Sequence, residues 1–171
     1  MAIPRKPATA RHREMVLRAA VPTDARGIVA LVRALAVHVG ESSAAIVSAE
    51  AMAAAGSGAN PLWRGVVAES AGEIVGICLY SLQFSTWIGT AGLYVIDLYI
   101  APEFRRGQLG RKLLAAAARQ GKELGCRFIR LEVDRRNPGA EGFYERLGFQ
   151  KRAGDTIFLL KADEFDALAA G

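Results

Sequence analysis

Positive charge, glycine and the start of a helix coincide in Ile100-Ala101-Pro102-Glu103-Phe104-Arg105-Arg106-Gly107-Gln108-Leu109-Gly110-Arg111-Lys112. An apolar strand runs into a loop that opens directly on a long helix. The first N–H groups of a helix have no intrahelical partner, and the macrodipole adds partial positive charge there. Gly107 and Gly110 let a ligand approach the backbone, while Arg105, Arg106, Arg111 and Lys112 supply mobile cations. This combination suits the cradling of a pyrophosphate. A P-loop is excluded, because no Gly-Lys-Ser/Thr follows at the required spacing. A dinucleotide fingerprint fails as well, since only two glycines are present and the preceding strand is fourth in order. On these residues alone, a basic helix start with a tight-turn glycine stays open as the alternative.

A second stretch, Asn137-Pro138-Gly139-Ala140-Glu141-Gly142-Phe143-Tyr144-Glu145-Arg146-Leu147-Gly148-Phe149, follows a strand and ends in a helix-stopping glycine and an aromatic. Together the two stretches resemble the GNAT superfamily of N-acetyltransferases, over roughly residues 15 to 161. The first is similar to that family's Arg/Gln-x-x-Gly-x-Gly/Ala motif and the second to its Asn-x-x-Ala-x-x-x-Tyr-x-x-x-Gly-Phe signature. Gln108 stands where the family usually has its middle glycine, with a glycine displaced to position 107.

The resemblance implies acetyl-CoA as cosubstrate, no metal, and direct attack of an amine on the thioester without an acyl-enzyme. The residues it implies for the cofactor are Leu98, Tyr99 and Ile100 through their backbone, then Arg105, Arg106, Gly107, Gln108, Leu109, Gly110 and Arg111, with Asn137 orienting the cofactor or its turn. Tyr144 stands where the family places the phenol that protonates the departing thiolate; the alternative is a helix aromatic packed in the core. An alkyl amine has a pKa near ~10.4, so about one molecule in a thousand is free base at neutral pH. Making it nucleophilic costs roughly 4 kcal/mol, which a general base or a water chain must help supply.

The middle of the chain is similar to the diamine (spermidine/spermine) and thialysine acetyltransferase branch. The likeness lies in Asn60-Pro61, Val66-Val67-Ala68-Glu69, Ser85-Thr86-Trp87-Ile88-Gly89 and Leu93-Tyr94-Val95-Ile96-Asp97-Leu98-Tyr99-Ile100. That branch usually carries a Glu-Asp pair where this chain has Ile96-Asp97. Asp97, a lone acid in an apolar strand, is the candidate base or substrate anchor, since burial would raise its pKa toward a working value. A carboxylate satisfied by neighbouring backbone is the alternative. Glu41 and Trp87 complete the candidate substrate contacts, with Asp134 a further acid and His38 a second candidate base. Acids at Glu41, Asp97 and Asp134 could hold one ammonium group but are few for a polycation. Arg135 and Arg136 read as a solvated loop, with the CoA 3′-phosphate as their other use. Trp63 and Trp87 read as core or pocket wall rather than as a stacking platform.

These residues need elements to position them. Periodicity predicts a strand over Met15–Ala20 and a helix capped by Thr23 or Asp24, with Ile28, Leu31, Val32, Leu35 and Val39 on one face. A second helix, capped by Ser42 or Ser43, runs to Ala55. Strands follow at Arg64–Glu69, Ile74–Phe84 and Leu93–Ile100, then a helix over Gln108–Leu124. A strand at Phe128–Val133, a helix at Gly139–Leu147 and a last strand at Thr156–Leu160 close the order. The expected fold is α/β, the GNAT fold, with a mixed central sheet of about six to seven strands flanked by about four helices.

The chain has 171 residues, 51% of them apolar and 23% charged, with a net charge of +5. That suits one globular domain over residues 15–171. Arg5, Lys6, Arg11, Arg13 and Arg18 make the first eighteen residues basic. Residues 1–14 read as a disordered arm, with Met15 a candidate natural start because Val16-Leu17-Arg18 opens the first strand. The arm lacks interleaved aromatics and a reading helix, so nucleic acid is not expected as a partner. No signal peptide or membrane helix is expected. Cys78 and Cys126 have no Cys or His at metal-ligand spacing, so a cytoplasmic protein without metal or disulfide is expected. The partners expected are a small-molecule amine and, by resemblance, a second copy of the chain. A protein or peptide amine acceptor, and a CoA-binding module without turnover, are the competing readings.

Overall fold

The computed structural model describes residues 15–41, 43, 46–105, 107–134, 136–152, 154, 157–160 and 162–170. The basic arm, Ser42, Arg106, Arg135 and Thr156 lie outside the described residues. The chain divides into two compact units, Met1–Asn137 and Pro138–Gly171.

The first unit holds a five-stranded sheet in the order β1 (Met15–Ala19), β2 (Arg64–Ser70), β3 (Glu73–Ser85), β4 (Thr90–Ile100) and β5 (Phe128–Leu131). Pairs β1–β2, β2–β3 and β3–β4 are antiparallel, and β4–β5 is parallel, so the sheet is mixed. The β2–β3 turn places Ala71 and Gly72 at φ of 54° and 81°. Helix α1 (Ala25–His38) and helix α2 (Ala49–Ala55) belong to one face. There Ile28, Val29, Leu31 and Met52 pack with Trp63, Val67, Ile77, Leu79 and Tyr99. Full burial of each such aliphatic side chain contributes roughly 1.5–3 kcal/mol. Trp63 is core, as expected, and its indole N–H donates to the Met52 carbonyl at 2.9 Å.

Helix α3 (Leu109–Glu123) covers the other face through Leu113, Leu114 and Ala117. It lies close to the sheet because Gly121 has no side chain. A Cβ there would come within 2.8 Å of Leu93. The Tyr80 hydroxyl bonds the Gln120 side chain at 2.7 Å on this same face.

Two capping expectations change. Asp24 makes no side-chain cap to α1. Its carboxylate instead takes two bonds from Arg18, at 2.7 and 2.8 Å, while Arg18 also reaches Glu69 at 2.8 Å. Arg18 thereby ties β1, β2 and the entry to α1 together, and its guanidinium holds the Asp24 carboxyl below the usual range. Helix α2 begins at Ala49, later than expected, because the effective cap is Ser48, whose hydroxyl accepts from the Ala51 N–H at 3.1 Å.

In the second unit, α4 (Pro138–Arg146) is followed by Gly148 at φ 90°, and Phe149 N–H returns to the Tyr144 carbonyl at 3.1 Å. Tyr144 sits edge-on between Phe143 and Phe149, with ring centroids 5.1 and 5.4 Å away. Lys151 spans Glu141 and Glu145 at 2.7 and 3.2 Å. The expected last strand is not formed. Ile157, Phe158, Leu159 and Leu160 carry no strand assignment and are exposed, and a helix not foreseen, α5 (Ala162–Ala170), follows them. The apolar run has strand propensity, but it has no ladder partner among the described residues, and pairing is what makes a strand. The sheet therefore has five strands among the described residues, and the helices number five rather than four.

Candidate active site

Strand β4 changes its company halfway along. From Gly92 to Val95 it pairs with β3 on one side and with Phe128–Leu131 of β5 on the other. Beyond Val95 its ladder among the described residues is with β3 alone. The change falls at a bulge: Tyr80 pairs with Val95 and Leu79 with Asp97, leaving Ile96 as the extra residue. An extra residue breaks the alternation of faces and bends the strand. Before it, Leu93 meets α3; after it, Ile100 shares the α3 face with Gly76, whose Cβ position lies 3.1 Å from Leu113. Asp97 and Tyr99 accordingly share the α1 face with Leu79 and Ile77.

The bend leaves Ile96–Ile100 with one edge unpaired among the described residues, a length of about 13 Å at the usual strand rise. That edge offers backbone N–H and C=O groups to an extended ligand carrying its own amides. Leu98, Tyr99 and Ile100, expected from sequence to contact a cofactor through their backbone, all belong to this stretch, where alternation turns the backbone groups of Leu98 and Ile100 away from β3.

The edge leads into the N-terminus of α3. Gln108 is the N-cap residue and adopts φ 62°, ψ 20°, a left-handed conformation, after Gly107 at φ 116°. The displaced glycine has therefore not rebuilt the loop; Gln108 takes the conformation a glycine would favour there. Its carbonyl still accepts from the Lys112 N–H at 3.0 Å, so the helix starts in register. Holding an L-residue in this region costs about 1–2 kcal/mol. Gln108→Gly should therefore raise stability to unfolding by about 1 kcal/mol, net of the entropy glycine gains in the unfolded chain. Urea denaturation checks this, and a loss of stability would show the Gln side chain to be anchored by contacts that outweigh the strain.

Arg105 lies beside the edge rather than over the helix start. Its Nε donates to the Ile100 carbonyl at 3.0 Å, and its guanidinium lies 5.2 Å from the Tyr99 ring centroid. One N–H of five is used in that bond. Arg111 and Lys112 are exposed on the first turn of α3, while Leu109 and Gly110 are buried. Arg106 lies outside the described residues.

On the α1 face, Asp97 is largely shielded, and burial pushes its carboxyl above the ordinary aspartate range. The His38 ring stands 6.2 Å from Tyr99, near enough to the edge to keep it among the candidate bases. Burial, with Asp97 adding to it, pushes the Cys78 thiol up to about 12, and burial raises Cys126 as well. Burial thus disfavours the thiolate of both cysteines.

The remaining candidates separate. Glu41, after the end of α1, is ion-paired with Arg136 at 2.6 Å, and Arg136 also holds Asp134 at 2.6 Å. Asn137 N–H caps that turn by donating to the Asp134 carbonyl at 2.8 Å. Trp87 stands at the tip of the β3–β4 hairpin, 93% exposed. Tyr144 belongs to the second unit, half-buried on α4 between its two phenylalanines. Sequence reasoning missed the bulge at Ile96 and the bridging role of Arg136. An isoleucine beside an acid inside a strand was the one visible sign of the bulge, and nothing in the sequence marked Arg136 as a partner of Glu41, 95 positions away. Among the described residues no group of three or more His, Cys, Asp or Glu is placed to hold a metal ion, and no helix is long and apolar enough to cross a membrane.

Known proteins identify the family and the fold. The family model described as "Acetyltransferase (GNAT) family" matches residues 41–149. A thialysine N-epsilon-acetyltransferase of Bos taurus is 34% identical over 144 residues, 80% of this chain and 84% of that protein. Among solved structures, an integron cassette protein from the mobile metagenome of V. cholerae superposes with a TM-score of 0.75 at 16% identity, covering 92% of this chain and 98% of that one. An aminoglycoside N-acetyltransferase solved in complex with CoA gives 0.66 at 20% identity, covering 90% and 98%. The structural likenesses speak for the fold, and the family match with the bovine relative speaks for descent. The chain belongs to the acetyltransferase (GNAT) family and is an N-acetyltransferase.

Proposed function

We propose that this enzyme transfers the acetyl group of acetyl-CoA to the primary amine of a small, lysine-like molecule. The observation that carries the reading is the unpaired edge of β4 running into the N-terminus of α3. Acetyl-CoA fits this pair of features in kind. Its pantetheine arm has two amides to match a strand edge, and its diphosphate matches free helix N–H groups flanked by Arg111 and Lys112. Arg105 and Gln108 flank the junction, and Asn137 stands at the head of the signature that resembles the family's. When bound, the thioester supplies an activated acyl carbon.

The chain's own groups then have separate tasks. Backbone N–H groups of the bulged strand polarise the thioester carbonyl, which is worth most where water is excluded. Asp97, with its raised pKa, takes a proton from the ammonium of the acceptor, directly or through water. Tyr144 gives a proton to the departing thiolate and is restored by the second proton that the nitrogen sheds as the amide forms. The amine nitrogen bonds to the acyl carbon, the carbon–sulfur bond breaks, and no acyl-enzyme forms, in keeping with the burial of Cys78 and Cys126. The acceptor class is carried by the bovine relative, whose name specifies thialysine. Kinship with the diamine branch supports a homodimer, unpaired cysteines suit a cytoplasmic setting, and residues 15–171 act as one catalytic domain.

The test is CoA thiol release from acetyl-CoA against thialysine, lysine, spermidine, putrescine, an aminoglycoside and a lysine peptide. Thialysine or lysine should give the highest kcat/KM. A peptide preferred over every free amine would replace the proposed acceptor with a protein. CoA binding without turnover on any amine would reduce the activity to cofactor binding.

A further inference from the structure

Glu41 and Asp134 come from distant parts of the chain, one just past the end of α1 and the other just past the end of β5. A single side chain holds them together. Arg136 donates through Nη2 to Glu41 Oε1 at 2.6 Å and to Asp134 Oδ2 at 2.6 Å, and through Nε to Asp134 Oδ1 at 2.9 Å. Its Nη1 stands 4.0 Å from the Cβ position of Gly40, the residue at φ 82° that turns the chain out of α1. The guanidinium therefore sits at the carboxyl end of α1, where the helix dipole favours a cation. Both anchoring elements border the free edge of β4. The end of α1 reaches Tyr99 through His38, and β5 is the strand that parts from β4 at Val95. The Glu41–Arg136–Asp134 bridge thus crosses the α1 side of the gap, the side that Asp97 shares.

We propose that Arg136 is a resident cation of the acceptor site, occupying two carboxylates that would otherwise bind a second ammonium group of the acceptor. This rests on the amine-acetylating function proposed above and narrows it. The bridge is exchangeable by its exposure: Arg136, Glu41 and Asp134 side chains are 54%, 49% and 32% exposed. Pairs this open contribute little to stability, so an arriving ammonium can displace the guanidinium at small cost. Displacement is still a competition, and it weighs against acceptors that depend on a second or third charge for binding. Without Arg136 the local charge of the cluster falls from −1 to −2, counting two carboxylates against one guanidinium. The enzyme as built therefore disfavours polycations relative to acceptors with a single remote cation.

The experiment compares wild type, Arg136→Gln and Arg136→Lys with spermidine and with a simple monoamine, butylamine, at low and at physiological salt. In Arg136→Gln the KM for spermidine should fall at least threefold relative to that for butylamine, with the change in KM rather than kcat. The ratio should shrink toward wild type as salt is raised, because the freed charges are exposed and screened. Arg136→Lys, which keeps the charge, should restore the wild-type ratio. An unchanged ratio in Arg136→Gln, or one moving in favour of butylamine, overturns the proposal. If wild type turns over no amine, the catalytic reading fails separately, and Arg136 is then judged by calorimetric titration of spermidine. Tighter binding to Arg136→Gln supports the resident cation, and equal or weaker binding overturns it.

Discussion

Tyr144→Phe should lower kcat at least tenfold while leaving the affinity for CoA near wild type. The substitution removes one hydroxyl and keeps the ring. The edge contacts with Phe143 and Phe149 are made by that ring, and the backbone bond from Phe149 N–H to the Tyr144 carbonyl is untouched. The helix and its closing turn are therefore expected to persist, and circular dichroism with a thermal melt verifies it. What is lost is the proposed proton donor for the sulfur of departing CoA. Positioned general acids contribute about 10²–10⁴-fold, and a thiolate is a tolerable leaving group even unassisted, which places the loss toward the lower end or below. A tenfold fall corresponds to about 1.4 kcal/mol of transition-state stabilisation. Thiol release at saturating acetyl-CoA and amine reads kcat, and quenching titration with CoA reads affinity. Turnover that survives intact would keep the enzyme and remove Tyr144 as the proton donor. A parallel loss of CoA affinity would make the phenol a cofactor contact.

Much of this molecule is legible in its sequence wherever local chemistry decides the outcome. The apolar runs of β2, β3 and β4 announce themselves, as does the three- and four-residue spacing of α1. Gly125, at φ 80°, ends α3 as a C-terminal glycine should. The start of α3 after Gln108 was legible because glycine and arginine sit together in sequence ahead of an apolar stripe. What sequence could not supply was anything decided by distant partners. Asp24 looked like a cap, yet Arg18 claims its carboxylate. Ser48 does the capping that Ser42 or Ser43 was expected to do, through a bond that any of the three hydroxyls could have made. Ile157–Leu160 has the composition of a strand, and a strand also needs a neighbour. The bulge at Ile96 depends on how β3 and β4 register over their whole length, which no short window contains. The conformation of Gln108 shows the reverse case: the sequence displaced a glycine, and the loop geometry did not follow it.

Asp97→Asn should be both less active and more stable at neutral pH, a combination that a structural carboxylate would not give. Burial raises the folded-state pKa of Asp97, whereas in the unfolded chain it titrates near the ordinary value of ~3.9. Below that value both states hold the proton and the side chain carries no burial penalty. As pH rises from there through the folded-state pKa, the folded protein binds more protons than the unfolded one, so stability declines. Above the folded-state pKa the full penalty persists. Asparagine is neutral throughout, so the variant should melt higher than wild type at pH 7, and the two should converge as pH falls toward ~4. Activity should move the other way. Loss of a general base is expected to lower kcat/KM by about 10²-fold, and the low-pH limb that reflects Asp97 ionisation should vanish. The slower rise due to the amine itself, toward ~10.4, should remain in both proteins. Melting curves and kcat/KM profiles over the same pH range decide the matter. If the variant melts lower at every pH and keeps its activity, Asp97 is a structural acid whose hydrogen bonds outweigh its burial, and His38 becomes the base to test. If it melts higher and works poorly, the strand has kept a costly carboxylate for the chemistry it performs at the point where β4 parts from β5.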